Sequence, residues 1–475
     1  MGERSAIVIT GFFPPAAGVG VRRPLGLCRH LAARGWEVTV VTARPPAGER
    51  TDAGLSATVP ANVRVVRTAA PDLPVLAARA LKPAWLKRLA RRNGHSATAP
   101  TSETPTPPDA APAEEHASGE SALRRWGDWA SWWLHVPDGR SGWLLPGLRA
   151  AIAEAARRRP DVVFSTAPFW TAHVVAAGLC SLLRLPLVAD FRDPWCGSAF
   201  RPIPHRAHRR TSEGMEATVV RLAEAVTCAW EGIARHLRSR YPDRADRIVT
   251  ILNGYDAERL GAAPPVELDP DRCVLLHAGS FYGPRSPVPL LEALALLKRD
   301  EPDLADRLLV ALVGLTTYNG QPLEALAAAH GVADCVRVPG PVPQARAVGL
   351  LKGAATALLF GQSGSEALAS VPAKAYEYIG TGRSVLAVGA GQEVCSLLEE
   401  AGCRVWRTET PEEIAAALRE ILDLHRRGAL PVAPPERRRQ FTRARMAERL
   451  EAVLEAAAAG RAPVAGREGA APCLR

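Results

Sequence analysis

Lys374 and Glu377 stand three residues apart in SVPAKAYEYIGTG, just after Pro372. A proline, a mixed apolar run and a closing glycine, Gly382, read as a helix start, body and stop. Near a helix N-terminus, a lysine can meet a phosphate with the helix dipole assisting. A glutamate almost one turn on lies on the same side, and its carboxylate can accept from both hydroxyls of a vicinal diol such as a ribose. The same spacing also fits a solvated Lys–Glu pair, which contributes little. A further cation, Arg285, lies in HAGSFYGPRSP, after an apolar strand that ends at Gly279 and before a helix. An arginine there can clamp a diphosphate, or stand as an exposed loop residue.

The loop GFFPPAAGVGVRR offers a second anion site. Gly18 and Gly20 open a helix, where backbone N–H groups and the helix dipole favour negative charge. A dinucleotide fingerprint G-x-G-x-x-G would need glycine at position 23, which is Arg23. Arg44 stands after the second strand, where an acidic ribose contact belongs. Both departures argue against NAD. The absence of G-x-x-x-x-G-K-[ST] excludes a P-loop.

These positions need a scaffold, and the surrounding pattern supplies one. AIVIT is a short apolar run, followed by the Gly loop, a helical stretch ending at Gly35, and the apolar run WEVTVVTA. That is a βαβ unit and implies a parallel sheet. Strands are expected at 161–167, 186–192, 225–230 and 247–253, alternating with helices. A second series starts at CVLLHAGS and runs through LLVALVG, CVRVPG, ATALLF and SVLAVG. The fold class is therefore α/β, with two doubly wound parallel-sheet domains and a cleft between them. The N-terminal domain is expected over 1–258, with a low-complexity insertion at about 93–121. The C-terminal domain is expected over 268–432. One long helix over 433–460 should pack back toward the N-terminal domain, followed by a disordered tail over 461–475.

Composition narrows the partners. The chain has 475 residues, a formal net charge of +10 and nine cysteines. Basic balance favours anionic partners, or reflects an arginine-rich composition. No recognition helix or aromatic-basic sheet face points to nucleic acid. The cysteines are scattered singly, which fits a reducing cytoplasm and neither a disulfide framework nor a zinc ribbon. No metal cluster is visible. The opening residues carry only a five-residue apolar run, short for a secretory signal. His173, Arg184 and Pro186 interrupt the longest apolar segment, so no spanning helix is expected. Two stretches flank the insertion: basic LKPAWLKRLARR (81–92), and a segment over 123–146 with five tryptophans. Both can pack on the N-terminal domain, or face lipid or an acceptor, since Trp with Lys/Arg suits membrane interfaces.

Four segments carry a resemblance to the GT-B glycosyltransferases of the large retaining group called family 4. FFPPAAGVGVRRPLGLCRHLAARGWEVTVVTA is similar to the family's opening loop and helix. DVVFSTAPFWTAHVVAAGLCSLLRLPLVADFRDPW resembles its mid-domain segment, and IVTILNGYDAERL its P-N-G-x-D hinge, with Leu252 at the proline position. VPAKAYEYIGTGRSVLAVG resembles the donor-site helix of a branch with P-x-K-x-x-E-Y. The resemblance implies two Rossmann-like domains and a nucleotide-diphosphate sugar as co-substrate, without a cofactor. It places Gly18, Gly20 and Gly279 near the donor, Arg285 and Lys374 on the diphosphate, and Glu377 on the ribose. Gly340 and Val342, in VPGPVP, would border the base, and Asp193 would sit near the transferred sugar and acceptor. Three further positions depart from the family pattern. Ala369 stands where relatives place a first glutamate, Arg192 precedes Asp193 where histidine is common, and Ser280 replaces a basic residue.

The resulting expectation is a cytoplasmic, retaining, metal-independent glycosyltransferase, peripheral at the inner membrane face if the tryptophan-rich flank and 81–92 touch lipid. Its acceptor would be a lipid-linked glycan or a small-molecule aglycone. A sugar-nucleotide epimerase or hydrolase, and a non-catalytic sugar-nucleotide-binding protein, are the alternatives.

Overall fold

The computed structural model describes residues 4–463, apart from 47, 74–75, 77–128, 130–131, 198–202, 204, 280, 282–284 and 362–370. The insertion, the basic stretch 81–92, Ser280, Ala369 and the tail from 464 lie outside the described residues. The chain divides into two compact units: one runs to Ile251 and takes in the stretch from Glu448, the other is Leu252–Ala447.

The first unit is built on a seven-stranded sheet. Its strands are β1 (Ser5–Thr10), β2 (Glu37–Ala43), β3 (Val63–Thr68), β4 (Val162–Thr166), β5 (Leu187–Phe191), β6 (Ala225–Cys228) and β7 (Ile248–Thr250). Their order is β3-β2-β1-β4-β5-β6-β7, with every pair parallel. β1, β4, β5 and β6 are buried at every position, as continuous apolar strands covered on both faces must be. The winding direction reverses between β1 and β4, and the carboxyl ends of strands at such a reversal are where α/β sheets hold ligands.

The second unit repeats the scheme. β8 (Cys273–Gly279), β9 (Leu308–Gly314), β12 (Val336–Gly340), β13 (Thr356–Phe360), β14 (Ser384–Val388) and β15 (Val405–Thr408) form a sheet in the order β12-β9-β8-β13-β14-β15. All five pairings are parallel. A small antiparallel hairpin, β10 (Thr317–Tyr318) and β11 (Gln321–Pro322), follows β9. Leu275, Val310, Leu358 and Leu386 from the strands meet Leu294 and Leu418 from the covering helices in one core.

Two edge strands extend the expected set. β3 reads VRVVRT, and β15 reads VWRT. Each has one neighbour in its sheet and carries arginine among its apolar residues, so neither shows the continuous apolar run of a central strand. The helix expected over 433–460 is in fact broken. Pro435–Arg438 and Arg439–Phe441 form two short turns before the long helix Arg443–Ala458. The break occurs where the Tyr255 backbone bonds to Phe441 and Arg443, which holds Thr442 extended. From Glu448 onward the long helix belongs to the first unit. There Glu451 accepts from Trp36 at 3.0 Å and contacts His30 at 2.7 Å. Among the described residues no helix is long and apolar enough to cross a membrane.

Candidate functional site

The carboxyl ends of β8, β9 and β12 lie side by side in the second sheet, and they end in Gly279, Gly314 and Gly340. Gly279 pairs with Gly314 across the β8–β9 ladder. Gly279 has φ +153°, and a Cβ there would fall on Nζ and Cε of Lys374. The missing side chain is therefore the slot through which Lys374 passes. Lys374 itself is the second residue of the helix Ala373–Thr381, which follows β13 and has no side-chain cap at its N-terminus. The helix closes on Gly382 in the left-handed region, φ +70°.

Charge concentrates at this point. Burial pushes the Lys374 ammonium down to about 8, the nearby Arg285 charge adds to the effect, and Glu377 opposes it. Glu377 shares the face of Lys374, but its carboxylate pairs with Arg259 at 3.3 Å. The Lys–Glu surface pair allowed by the sequence is therefore not what forms. Gly340 has φ +76° and Val342 is half-buried just beyond β12. The structure thus brings Gly279, Lys374, Arg285 and Glu377 together, with Gly340 and Val342 at the end of a nearby strand.

Two residues of this cluster were not singled out by sequence reasoning. His277, on β8, has Nε2 3.2 Å from the Lys374 ammonium. It is the one polar side chain in the apolar run CVLLHAG, which was the available signal. Arg259 follows the NGYD segment and carried no signal for a partner over one hundred residues away.

In the first unit, Gly18 is the N-cap of the helix Val19–Ala33, with φ +115°, and a Cβ added to it would meet nothing within 4 Å. Gly20 lies under Phe12, and its carbonyl accepts from Arg192 Nη1 at 2.6 Å. Arg192 therefore joins the loop after β5 to the Gly loop, and the neighbouring Asp193 is exposed. Arg23, which broke the dinucleotide pattern, points inward and pairs with Asp190 on β5.

The tryptophan-rich segment divides between core and surface. Trp143 is fully buried and donates to Thr68 at 2.7 Å, whereas Trp129 and Trp133 are each 37% exposed. Asp138 accepts from the Thr171 backbone and hydroxyl, both at 2.7 Å, and so fastens the segment to the helix Thr171–Leu183. Trp129, Trp132 and Trp133 surround His208, with the Trp133 and His208 ring centres 4.3 Å apart. On the same helix, Arg206–Leu222, Arg206, Arg209 and Arg210 are exposed. No group of three or more His, Cys, Asp or Glu side chains gathers as a metal site among the described residues.

Residues 86–259 match Glycosyltransferase Family 4. The D-inositol 3-phosphate glycosyltransferase of Nocardiopsis dassonvillei is 30% identical over 258 residues, 52% of this chain and 59% of that protein. A protein of the same name from Streptomyces griseus is 30% identical over 38% of this chain and 39% of its own length. The chain is similar to that family over 86–259. It spans about half the length of the curated relatives it matches. Among solved structures, Anabaena HepE in complex with UDP aligns with a TM-score of 0.57 at 14% identity, covering 95% of this chain and 100% of that one. Sucrose-phosphate synthase from Thermosynechococcus elongatus aligns with a TM-score of 0.57, also at 14% identity, over 95% of this chain and 98% of its own. These likenesses identify the fold as GT-B. The family 4 segment contains Asp138, Trp143, Asp190 and Asp193, while Gly279, Arg285, Lys374 and Glu377 lie beyond it.

Proposed function

We propose that this chain transfers a sugar from a nucleotide-diphosphate sugar to an acceptor hydroxyl, with retention at the anomeric carbon. The observation that carries the reading is the Lys374 ammonium threaded through the Gly279 slot, beside Arg285, at the carboxyl edge of a parallel sheet. Breaking the bond between the anomeric carbon and the diphosphate builds negative charge on the leaving group. Preorganised cations next to that charge stabilise the transition state more than the ground state. Lys374, Arg285 and the uncapped helix N-terminus supply such charge from the protein itself, so the reading is metal-independent. Glu377 would take the ribose hydroxyls, the backbone at Gly340 and Val342 would border the base, Gly18 and Gly20 would contact the donor, and Asp193 would act near the transferred sugar and acceptor.

Several likenesses support this reading. The Anabaena protein was solved with UDP and with UDP-glucose, and the curated relatives are named for D-inositol 3-phosphate. The acceptor proposed here is a lipid-linked glycan or a small-molecule aglycone. Exposed Trp129 and Trp133 near the Arg206, Arg209 and Arg210 row favour a peripheral membrane contact on the cytoplasmic side. A thermal-shift screen with UDP, GDP and dTDP tests the donor, because a bound nucleotide raises stability. Turnover of the matching sugar nucleotide with an acceptor panel then tests transfer. Free sugar or an epimer formed without any acceptor would replace transfer with hydrolysis or epimerisation. Unchanged kinetics in folded Lys374→Ala would overturn the site.

A further inference from the structure

We propose that His277 is a positioning residue that holds the Lys374 ammonium in the Gly279 slot through the lone pair on Nε2. The proposal rests on the reading of Lys374 as the diphosphate contact. His277 lies on β8 and is 2% exposed, with ring centres of Phe281 and Phe360 at 4.8 and 5.0 Å. Its Nδ1 is 3.0 Å from the Leu358 carbonyl. A carbonyl only accepts, so Nδ1 carries the proton and the neutral ring leaves Nε2 as an acceptor. Lys374 Nζ, which only donates, stands 3.2 Å from that acceptor. Donor and acceptor roles therefore agree along the whole chain from Lys374 through the imidazole to Leu358. The Leu358 carbonyl also accepts from the Tyr378 hydroxyl at 2.8 Å, which ties the far end of the relay to the helix bearing Lys374.

A lysine side chain has many rotamers, and a free one must be ordered each time a phosphate binds. The imidazole uses one of the three ammonium protons and leaves two for a ligand. Burial, then the Lys374 and Arg285 charges, push the His277 ring down to about 3, so it stays neutral throughout the working range. Among the described residues, the groups acting on Lys374 are neutral His277 from β8, cationic Arg285 from the loop after β8, and Glu377 from its own helix, with Arg259 paired to Glu377. An arginine at 374 would not titrate near 8.

The test is calorimetric titration of UDP, GDP and dTDP, with inorganic diphosphate alongside, from pH 6 to 9.5. Wild type should lose affinity as pH rises through about 8, where Lys374 gives up its proton. Lys374→Arg should remove that dependence. His277→Phe keeps the ring volume but offers no acceptor, so it should bind at least about tenfold more weakly at pH 7 and lose affinity at a lower pH than wild type. His277→Gln, whose amide oxygen can accept, should recover part of both. If Lys374→Ala binds every nucleotide like wild type, the donor reading of Lys374 fails. If Lys374→Ala is weakened while His277→Phe keeps wild-type affinity and midpoint, only the positioning role fails. Nitrogen NMR of wild type gives an answer that needs no variant. Nδ1 should resonate as protonated and Nε2 as bare, and Nε2 should shift as Lys374 titrates. A protonated Nε2 would overturn the proposal.

Discussion

Arg23 and Asp190 meet through two parallel hydrogen bonds, Nε to Oδ2 at 2.9 Å and Nη2 to Oδ1 at 2.8 Å, with neither side chain more than 2% exposed. Thr166 and Thr227 each donate a further bond to Asp190 at 2.7 Å. The pair ties the helix after the Gly loop to β5, the strand that leads to Asp193.

Breaking one side of this pair leaves the other charge buried and unmatched, which costs about 3–5 kcal/mol. Asp190→Asn and Arg23→Ala should each show a loss of that size in urea unfolding. The pH dependence has a definite sign. Burial pushes the Asp190 carboxyl up, but Arg23 and the two threonine hydroxyls more than offset this, and it sits below its ordinary value. Its contribution is present above the unfolded-state value of about 3.9 and is lost as pH falls through the folded value. Asp190→Asn should therefore flatten the acid limb of the stability curve. An unchanged acid limb would contradict the assignment.

Gly279→Ala should cost donor affinity more than stability. The new Cβ would occupy the place of Lys374 Nζ, and φ +153° disfavours any L side chain. The lysine must leave the slot, so nucleoside diphosphate binding should weaken at least about tenfold. The backbone strain adds about 1 kcal/mol or more to the stability loss. Gly18→Ala is the useful comparison. Its φ of +115° is also strained, but a Cβ there meets nothing within 4 Å. It should lose stability without losing the Lys374-dependent part of binding. Calorimetry on both variants separates the two effects, and a Gly279→Ala protein that binds like wild type would rule out the slot.

The parts of this protein that could be read from sequence share one property: they are locally determined. Runs such as AIVIT and CVLLHAG are apolar because they are buried on both faces, so the central strands declared themselves. β3 and β15 did not, because Arg64, Arg67 and Arg407 interrupt their apolar runs, although the edge strand β12 was legible despite Arg337. Lys374, Glu377 and Gly279 could be picked out because helix starts and strand ends restrict residue type. What was illegible depends on pairs far apart in the chain. Nothing near Glu377 indicates that Arg259 takes its carboxylate. Arg23 looked like a lost glycine until Asp190 stood opposite it. The break at Thr442 is set by the Tyr255 backbone, which no local propensity records.

Glu377 and Arg259 give a test that separates ribose from phosphate recognition. If Glu377 accepts the ribose hydroxyls, Arg259 serves to orient its carboxylate at 3.3 Å. Glu377→Gln should weaken nucleoside diphosphate binding by about tenfold, or 1.4 kcal/mol. It should leave inorganic diphosphate binding nearly unchanged, since no ribose is present. Arg259→Gln should produce a smaller loss of the same pattern. Equal losses for both ligands would show that Glu377 acts on the cation cluster and not on the sugar hydroxyls.

The tryptophan–arginine surface of the first unit predicts two distinguishable kinds of membrane binding. Trp129 and Trp133 are each 37% exposed, and indole rings partition to the lipid interface whatever the headgroup charge. Arg206, Arg209 and Arg210 respond only to anionic lipid, at about 1 kcal/mol per charge near the surface. Replacing all three arginines with glutamine should therefore lower co-sedimentation with anionic vesicles by about 100-fold, and leave the weaker binding to neutral vesicles alone. Trp129→Ser with Trp133→Ser should lower both. Raising salt should reproduce the arginine effect, because exposed charges are screened within about 3 Å at 1 M. If wild type does not sediment with anionic vesicles at low salt, the surface is not a lipid contact, and the soluble aglycone becomes the acceptor to pursue.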